Sequence, residues 1–249
     1  MALMCLGLNP SLAQTEAGNG LPTRFNTVYQ YAERGNADAQ FTIGRFYVES
    51  EHLPNALDQA RYWLTRSAEQ QHAQAMLQLG RLFQLAHANF QDSAEAFKWY
   101  LRAAQLGLPA AQSQVGYFYL SGEGDVQQDC EQALNWFEQA MARKHPGADA
   151  NIVWLLATCP NEAVRDGSRA LRMGTDIAYR QGRTTANNLD NLAAAYAELG
   201  DYRTAWELQE DAIELASTDS SQRREFKAHL ASYLARQSWR DIPKGTRPH

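Results

Sequence analysis

Residues 111–140 read AQSQVGYFYLSGEGDVQQDCEQALNWFEQA. Ala111 and Gly116 sit in a first apolar stretch, a Gly122-x-Gly124 segment follows, and a second stretch carries Ala133, Trp136 and Ala140. The offsets of those last three residues, three and then four, place them on one face of an α-helix. The two loop glycines tolerate positive φ, as a chain reversal requires. Asp129 with Gln132 has the spacing of a capping box. The stretch therefore predicts a pair of helices joined by a short turn.

The same pattern recurs upstream. Gly44, Gly80 and Gly116 are 36 residues apart, as are Ala39, Ala75 and Ala111. Arg45, Arg81 and Tyr117 keep that interval, Trp63, Trp99 and Trp136 are spaced 36 and 37, and Ala60, Ala96 and Ala133 precede each Trp by three. Five columns holding register through three copies mark an internal repeat. The small residues let paired helices approach closely, and the Trp fills the space between layers. Asp92 with Glu95 repeats the capping spacing, and Asn55 after Pro54 is expected to act similarly in the first copy. The first two copies replace the Gly-x-Gly loop with residues 49–55 and 86–91.

These residues resemble the Sel-1-like repeat family, a relative of the tetratricopeptide repeat, over about residues 35–146. Downstream, Leu192-Ala193-x-x-Tyr196, then Gly200-Asp201-Tyr202-x-x-Ala205 and Ala212, resemble a tetratricopeptide repeat. Gln209 stands where that family usually has an aromatic, and Ser217 where Pro is common. The stretch from Trp154 to Trp239 resembles a C-terminal module of bacterial repeat proteins. The resemblance implies an all-α fold, a right-handed α-α superhelix of the helical-repeat solenoid type. Each repeat then touches its neighbours, so one continuous array without a domain boundary is expected.

The helices are expected at 23–34, in pairs at 37–49/56–70, 73–86/92–106, 109–121/129–143, 148–158/163–181 and 187–199/202–216, and in a closing helix at 221–236. Gln222, Arg223, Arg224, Glu225 and Lys227 give that last helix the polar face of a terminal cap. Residues 1–13 read as the end of a signal peptide whose start lies upstream: an apolar run, then small residues at Ser11 and Ala13. The alternative is an apolar tail on a cytosolic protein. Residues 14–22 read as a leader, 23–146 as the opening helix and three repeats, 147–240 as the tetratricopeptide-like pairs and cap, and 241–249 as a disordered tail.

Charge and motifs narrow the function. The net charge of -5 lacks the concentrated basic face of a nucleic-acid binder. No apolar run reaches the roughly 20 residues that span a bilayer. The six histidines include no i, i+4 pair, so no zincin motif is present, and a metal is not expected. Lys244-Gly245-Thr246 lacks the upstream glycines of a phosphate-binding loop, and no nucleophile elbow occurs. No enzyme and no cofactor are expected.

Cys5 falls within the signal segment, leaving Cys130 and Cys159. Each lies about equally far from a turn near residues 144–147, so two antiparallel helices bring them to one height. They form either a disulfide in an oxidising compartment or two buried thiols. In relatives of the C-terminal module a second Cys often occurs at the position of Ala178, and its absence here leaves Cys159 free to pair elsewhere.

In stacked helix pairs the first helices line the inner surface. The residue after each repeat Gly faces it, giving a row of Arg45, Arg81, Tyr117 and, 37 further on, Trp154. Two cations and two aromatics suit a peptide with carboxylates. Asp38, Phe41, Gln74 and Gln78 lie near by the same counting. By the tetratricopeptide resemblance, Asn191 occupies a groove position that clasps a peptide backbone. The alternative is that the Arg side chains are merely solvated and the aromatics are core. The expected function is a monomeric, non-catalytic adaptor in the bacterial periplasm or secreted, binding a protein or peptide. A cell-wall (peptidoglycan) binding protein or enzyme, and a subunit of an envelope or secretion complex, are the alternatives.

Overall fold

The computed structural model describes residues 25–50, 52–53, 55–85, 91–181, 185–217 and 221–241. The signal and leader segments expected at 1–22 lie outside them. Among the described residues there are helices and turns and no strand. The helices are α1 Asn26–Glu33, α2 Ala37–Glu49, α3 Ala56–Glu69, α4 Ala73–Leu85, α5 Ser93–Gln105, α6 Pro109–Ser121, α7 Cys130–Ala142, α8 Ala148–Thr158, α9 Gly167–Gln181, α10 Ala186–Glu198, α11 Tyr202–Leu215 and α12 Ser221–Leu234.

Local chemistry sets most of these limits. The first backbone N–H groups of a helix have no intrahelical acceptor, and a short polar side chain supplies one. Asn36 accepts from the Ala39 N–H (2.8 Å), Asp92 from that of Glu95 (2.9 Å), and Asp129 from those of Glu131 and Gln132 (2.9 and 3.0 Å). Asn55 departs from the expectation: it enters α3 in the left-handed region at φ 56° and its side chain caps nothing. The ninth helix also starts later than expected. Asp166 accepts from the Arg169 N–H (2.8 Å), so the helix begins behind that cap, and residues 160–166 are not helical, with a turn at 162–164. Gly122 and Gly124 adopt φ 70° and 68° between α6 and α7, the reversal their spacing implied.

Packing explains the columns. A Cβ on Gly44 would come within 2.7 Å of Leu64, and one on Gly116 within 2.6 Å of the Phe137 ring. Each glycine is therefore where the first helix of a pair touches the second. Ala39, Ala75, Ala111, Ala60, Ala96 and Ala133 are all buried, as are Trp63 and Trp99, while Trp136 is half-buried. Trp63 packs edge-on to Tyr29 of α1, and Arg102 lies 4.5 Å above the Trp99 ring.

The chain forms two compact units, 1–91 and 92–249. The division falls between α4 and α5, inside the second repeat, where the sequence implied an unbroken array. It coincides with one of the two interhelix segments that lack the Gly-x-Gly turn, and residues 86–90 of that segment lie outside the described ones. Within the second unit, Cys130 at the start of α7 and Cys159 behind α8 form a disulfide, with Cα atoms 6.3 Å apart. Asp241, expected as the first residue of a free tail, is instead tied down: its N–H donates to the Thr158 carbonyl (3.0 Å). The remaining tail, 242–249, lies outside the described residues.

Candidate binding face on the first helices

In the first unit, Arg45 of α2 and Arg81 of α4 are exposed, each one residue beyond a buried glycine. Burying the glycine against the second helix turns the next side chain outward. Arg45 pairs with Glu49 at 3.3 Å, and its guanidinium lies 5.9 Å from the Phe41 ring. Both members of that ion pair are solvated, so it holds Arg45 weakly and leaves its donors available. Phe41 stacks on His72, whose Nε2 lies 3.2 Å from the exposed Asp38 carboxylate. Gln74 is exposed and Gln78 half-buried.

In the second unit the first helices α6, α8 and α10 are joined side by side. Tyr117 of α6 remains 43% exposed, and its hydroxyl donates to Asn151 of α8 at 2.6 Å. Asn151 also donates to the Ser113 hydroxyl (3.4 Å). Burial of the phenol pushes the Tyr117 hydroxyl above its ordinary value, and the bond to Asn151 offsets part of that shift. Asn191 of α10 donates to the Ala150 carbonyl of α8 at 3.1 Å. The amide expected to clasp a ligand backbone thus clasps the neighbouring helix. Trp154 is not open either: its indole N–H donates to the Asp241 carboxylate (2.5 Å), and its ring lies 5.1 Å from that of His229. Of the row, Arg45 and Arg81 are exposed in the first unit and Tyr117 in the second, while the chain itself covers Trp154.

Sequence reading missed a buried polar cluster. Asp190, Gln209 and His229 come from α10, α11 and α12. His229 is 1% exposed, and its Nδ1 lies 2.8 Å from Asp190 Oδ1. Gln209, fully buried, donates to the same oxygen at 2.7 Å and to the Phe226 carbonyl at 3.3 Å. Trp154, Phe226 and Trp239 surround the imidazole. Burial, followed by the nearby Asp190 carboxylate, holds the Tyr233 hydroxyl far above its ordinary value. An Asp–His pair can orient a general base. Here it is enclosed by aromatic rings, a setting that suits a structural core pair, and two buried atoms of the cluster, His229 Nε2 and Gln209 Oε1, have no hydrogen-bond partner. The one sequence signal was Gln209, standing where an aromatic is usual. Among the described residues no group of three or more His, Cys, Asp or Glu is placed to hold a metal.

The Sel1 repeat family model matches residues 37–72, 73–108 and 109–145, the three copies whose glycine, alanine and tryptophan columns pack as described. Residues 37–145 are three Sel1 repeats. Among solved structures, this chain is similar to a protective antigen present in uropathogenic Escherichia coli strains that displays an SLR fold. The TM-score is 0.60 at 25% identity, covering 84% of this chain and 48% of that one. It also matches a Sel1 repeat protein from Oxalobacter formigenes in fold, with TM-score 0.58 at 20% identity, covering 85% of this chain and 97% of that one. Among curated relatives, a chitin synthase regulator of Saccharomyces cerevisiae is 42% identical over 81 residues, 32% of this chain and 12% of that protein. Chitin synthase regulatory factor 3 of Schizosaccharomyces pombe is 34% identical over 135 residues, 52% of this chain and 14% of that protein. The chain thus spans only a small part of either fungal regulator.

Proposed function

We propose that this Sel1-repeat scaffold is a monomeric, non-catalytic adaptor that holds a protein or peptide partner on the exposed faces of its first helices. The observation that carries the reading is the outward residue behind each buried glycine: Arg45, Arg81 and Tyr117. Forked guanidinium donors and a rigid phenol recur among residues that dominate protein interfaces. The two fungal relatives are named as regulators of a synthase, which fits a chain that acts by binding.

We further propose that it works in an oxidising compartment, the bacterial periplasm or the cell exterior. The Cys130–Cys159 disulfide favours that setting, because thiols in the cytosol are kept reduced. Co-purification of the tagged chain from its native cells tests the function. One protein partner in fixed stoichiometry is expected; recovery of the chain alone, with turnover of cell-wall fragments, would replace the adaptor with an enzyme.

A further inference from the structure

After α12 the chain reverses at Arg236, φ 56°, and residues 238–241 run without helix. They cross three first-helix termini in turn. The Ser238 hydroxyl donates to the Ala197 carbonyl at the end of α10 (2.8 Å). Arg240 donates to the Ala157 carbonyl at the end of α8 (3.3 Å) and pairs with Glu198 of α10 at 2.6 Å. Asp241 donates its N–H to Thr158, accepts from the Trp154 indole with its carboxylate, and accepts from Gln128 with its carbonyl (2.9 Å). Gln128 in turn donates to the Leu120 carbonyl at the end of α6 (2.8 Å). Trp239 lies between, its ring 4.5 Å from that of His229.

We propose that these helix ends form a docking site for an extended protein segment bearing an aromatic, an arginine and a carboxylate in succession, and that the chain keeps the site filled with its own residues 238–241. This rests on the adaptor reading only in taking the chain for a scaffold. The last carbonyls of a helix lack intrahelical partners and carry partial negative charge, so the ends of α10 and α8 favour donors and a cation, while at the end of α6 Gln128 fills the Leu120 carbonyl and offers a donor to the segment. The receiving side is fixed by bonds that do not involve the segment. Arg165 holds Glu198 at 2.8 Å and donates to the Cys159 and Pro160 carbonyls (2.9 and 3.1 Å), next to the disulfide. Asn191 ties α10 to α8, and Leu120 orients Gln128. A site formed in advance loses little freedom when filled.

The site also meets the open face. Asn151, the partner of Tyr117, and Trp154, the partner of Asp241, are three apart on α8 and share a side of that helix. A ligand lying along Tyr117 reaches the docked segment, where a matching sequence exchanges with it. The tethered segment competes at an effective concentration of about millimolar, so a partner with further contacts displaces it.

The test uses a fluorophore-labelled peptide with the sequence of residues 237–249, read by anisotropy. A chain ending at Gln237 is expected to bind it with Kd below about 0.1 mM, which against a tethered competitor at about 1 mM is at least tenfold tighter than the intact chain, and not to bind a scrambled peptide. Glu198→Gln in that shortened chain is expected to weaken binding about tenfold. Because shortening removes Trp239 from the core, a full-length chain with Arg240→Ala and Asp241→Ala is measured in parallel. It is expected to bind the peptide more tightly than the intact chain does, and it decides alone if the shortened chain unfolds. The proposal is overturned if the folded variants do not prefer the peptide to its scramble, or if the intact chain binds it equally well. Arg45→Glu with Arg81→Glu should leave this binding unchanged, so the peptide result stands apart from the adaptor reading.

Discussion

Gly116 shows how one residue carries the packing. An added Cβ would meet the buried Phe137 ring at 2.6 Å, and that ring is also packed edge-on by Tyr117, 5.3 Å away. Gly116→Ala therefore forces the ring or the helix aside. We expect a loss of about 1–3 kcal/mol, measured by urea unfolding; unchanged stability would show that α6 and α7 do not touch there. Tyr233 and Tyr117 give a pH signature. Both hydroxyls are raised in the folded chain, chiefly by burial. In the unfolded chain tyrosine ionises near pH 10. Above that pH the unfolded state binds fewer protons than the folded one, so stability falls as pH rises. The unfolding midpoint should hold up to about pH 9 and drop beyond about pH 10. Tyr233→Phe should make the drop shallower, and an equal slope in the variant would refute the assignment.

The small residues of these columns were legible in the sequence because close helix approach tolerates little else, so they recur in register. The Asp190–His229 pair was not. A polar residue in an amphipathic helix reads as solvent-facing, and its partner lies 39 positions away. Trp154 misled for a similar reason. Register placed it behind Tyr117, but the residue that covers it, Asp241, is 87 positions distant.

At the scale of the element, helix limits followed from side-chain caps and turns, and the sequence showed most of them. The exceptions are physical. Asn55 has the right side chain but a left-handed backbone, and the ninth helix waits for the Asp166 cap. The pairing of Cys130 with Cys159 was one of two open outcomes in the sequence, because equal height on neighbouring helices permits a bond without requiring it. The bond closes a separation of 29 residues. Replacing both cysteines by Ala is expected to cost about 3 kcal/mol, mainly by freeing the unfolded chain. Urea unfolding of the double variant checks this. A change below about 0.5 kcal/mol, within the range of an ordinary surface substitution, would show that the bridge adds nothing.

At the scale of the whole molecule, helical repeats present their first helices as a surface, and stability is spread over neighbouring interfaces. Removing exposed side chains from that surface should therefore leave folding intact while altering recognition. The repeat period made this architecture readable, but it carries no information about the partner, because the same scaffold serves many ligands. The most direct test is the affinity of the co-purifying partner for the chain with Arg45→Glu and Arg81→Glu, and separately with Tyr117→Ala in the second unit. The account predicts at least a tenfold rise in Kd for the arginine pair, about 1.4 kcal/mol, a weaker effect of the same sign for Tyr117→Ala, and an unfolding midpoint for the arginine variant close to that of the parent. Unchanged affinity in both folded variants would contradict it.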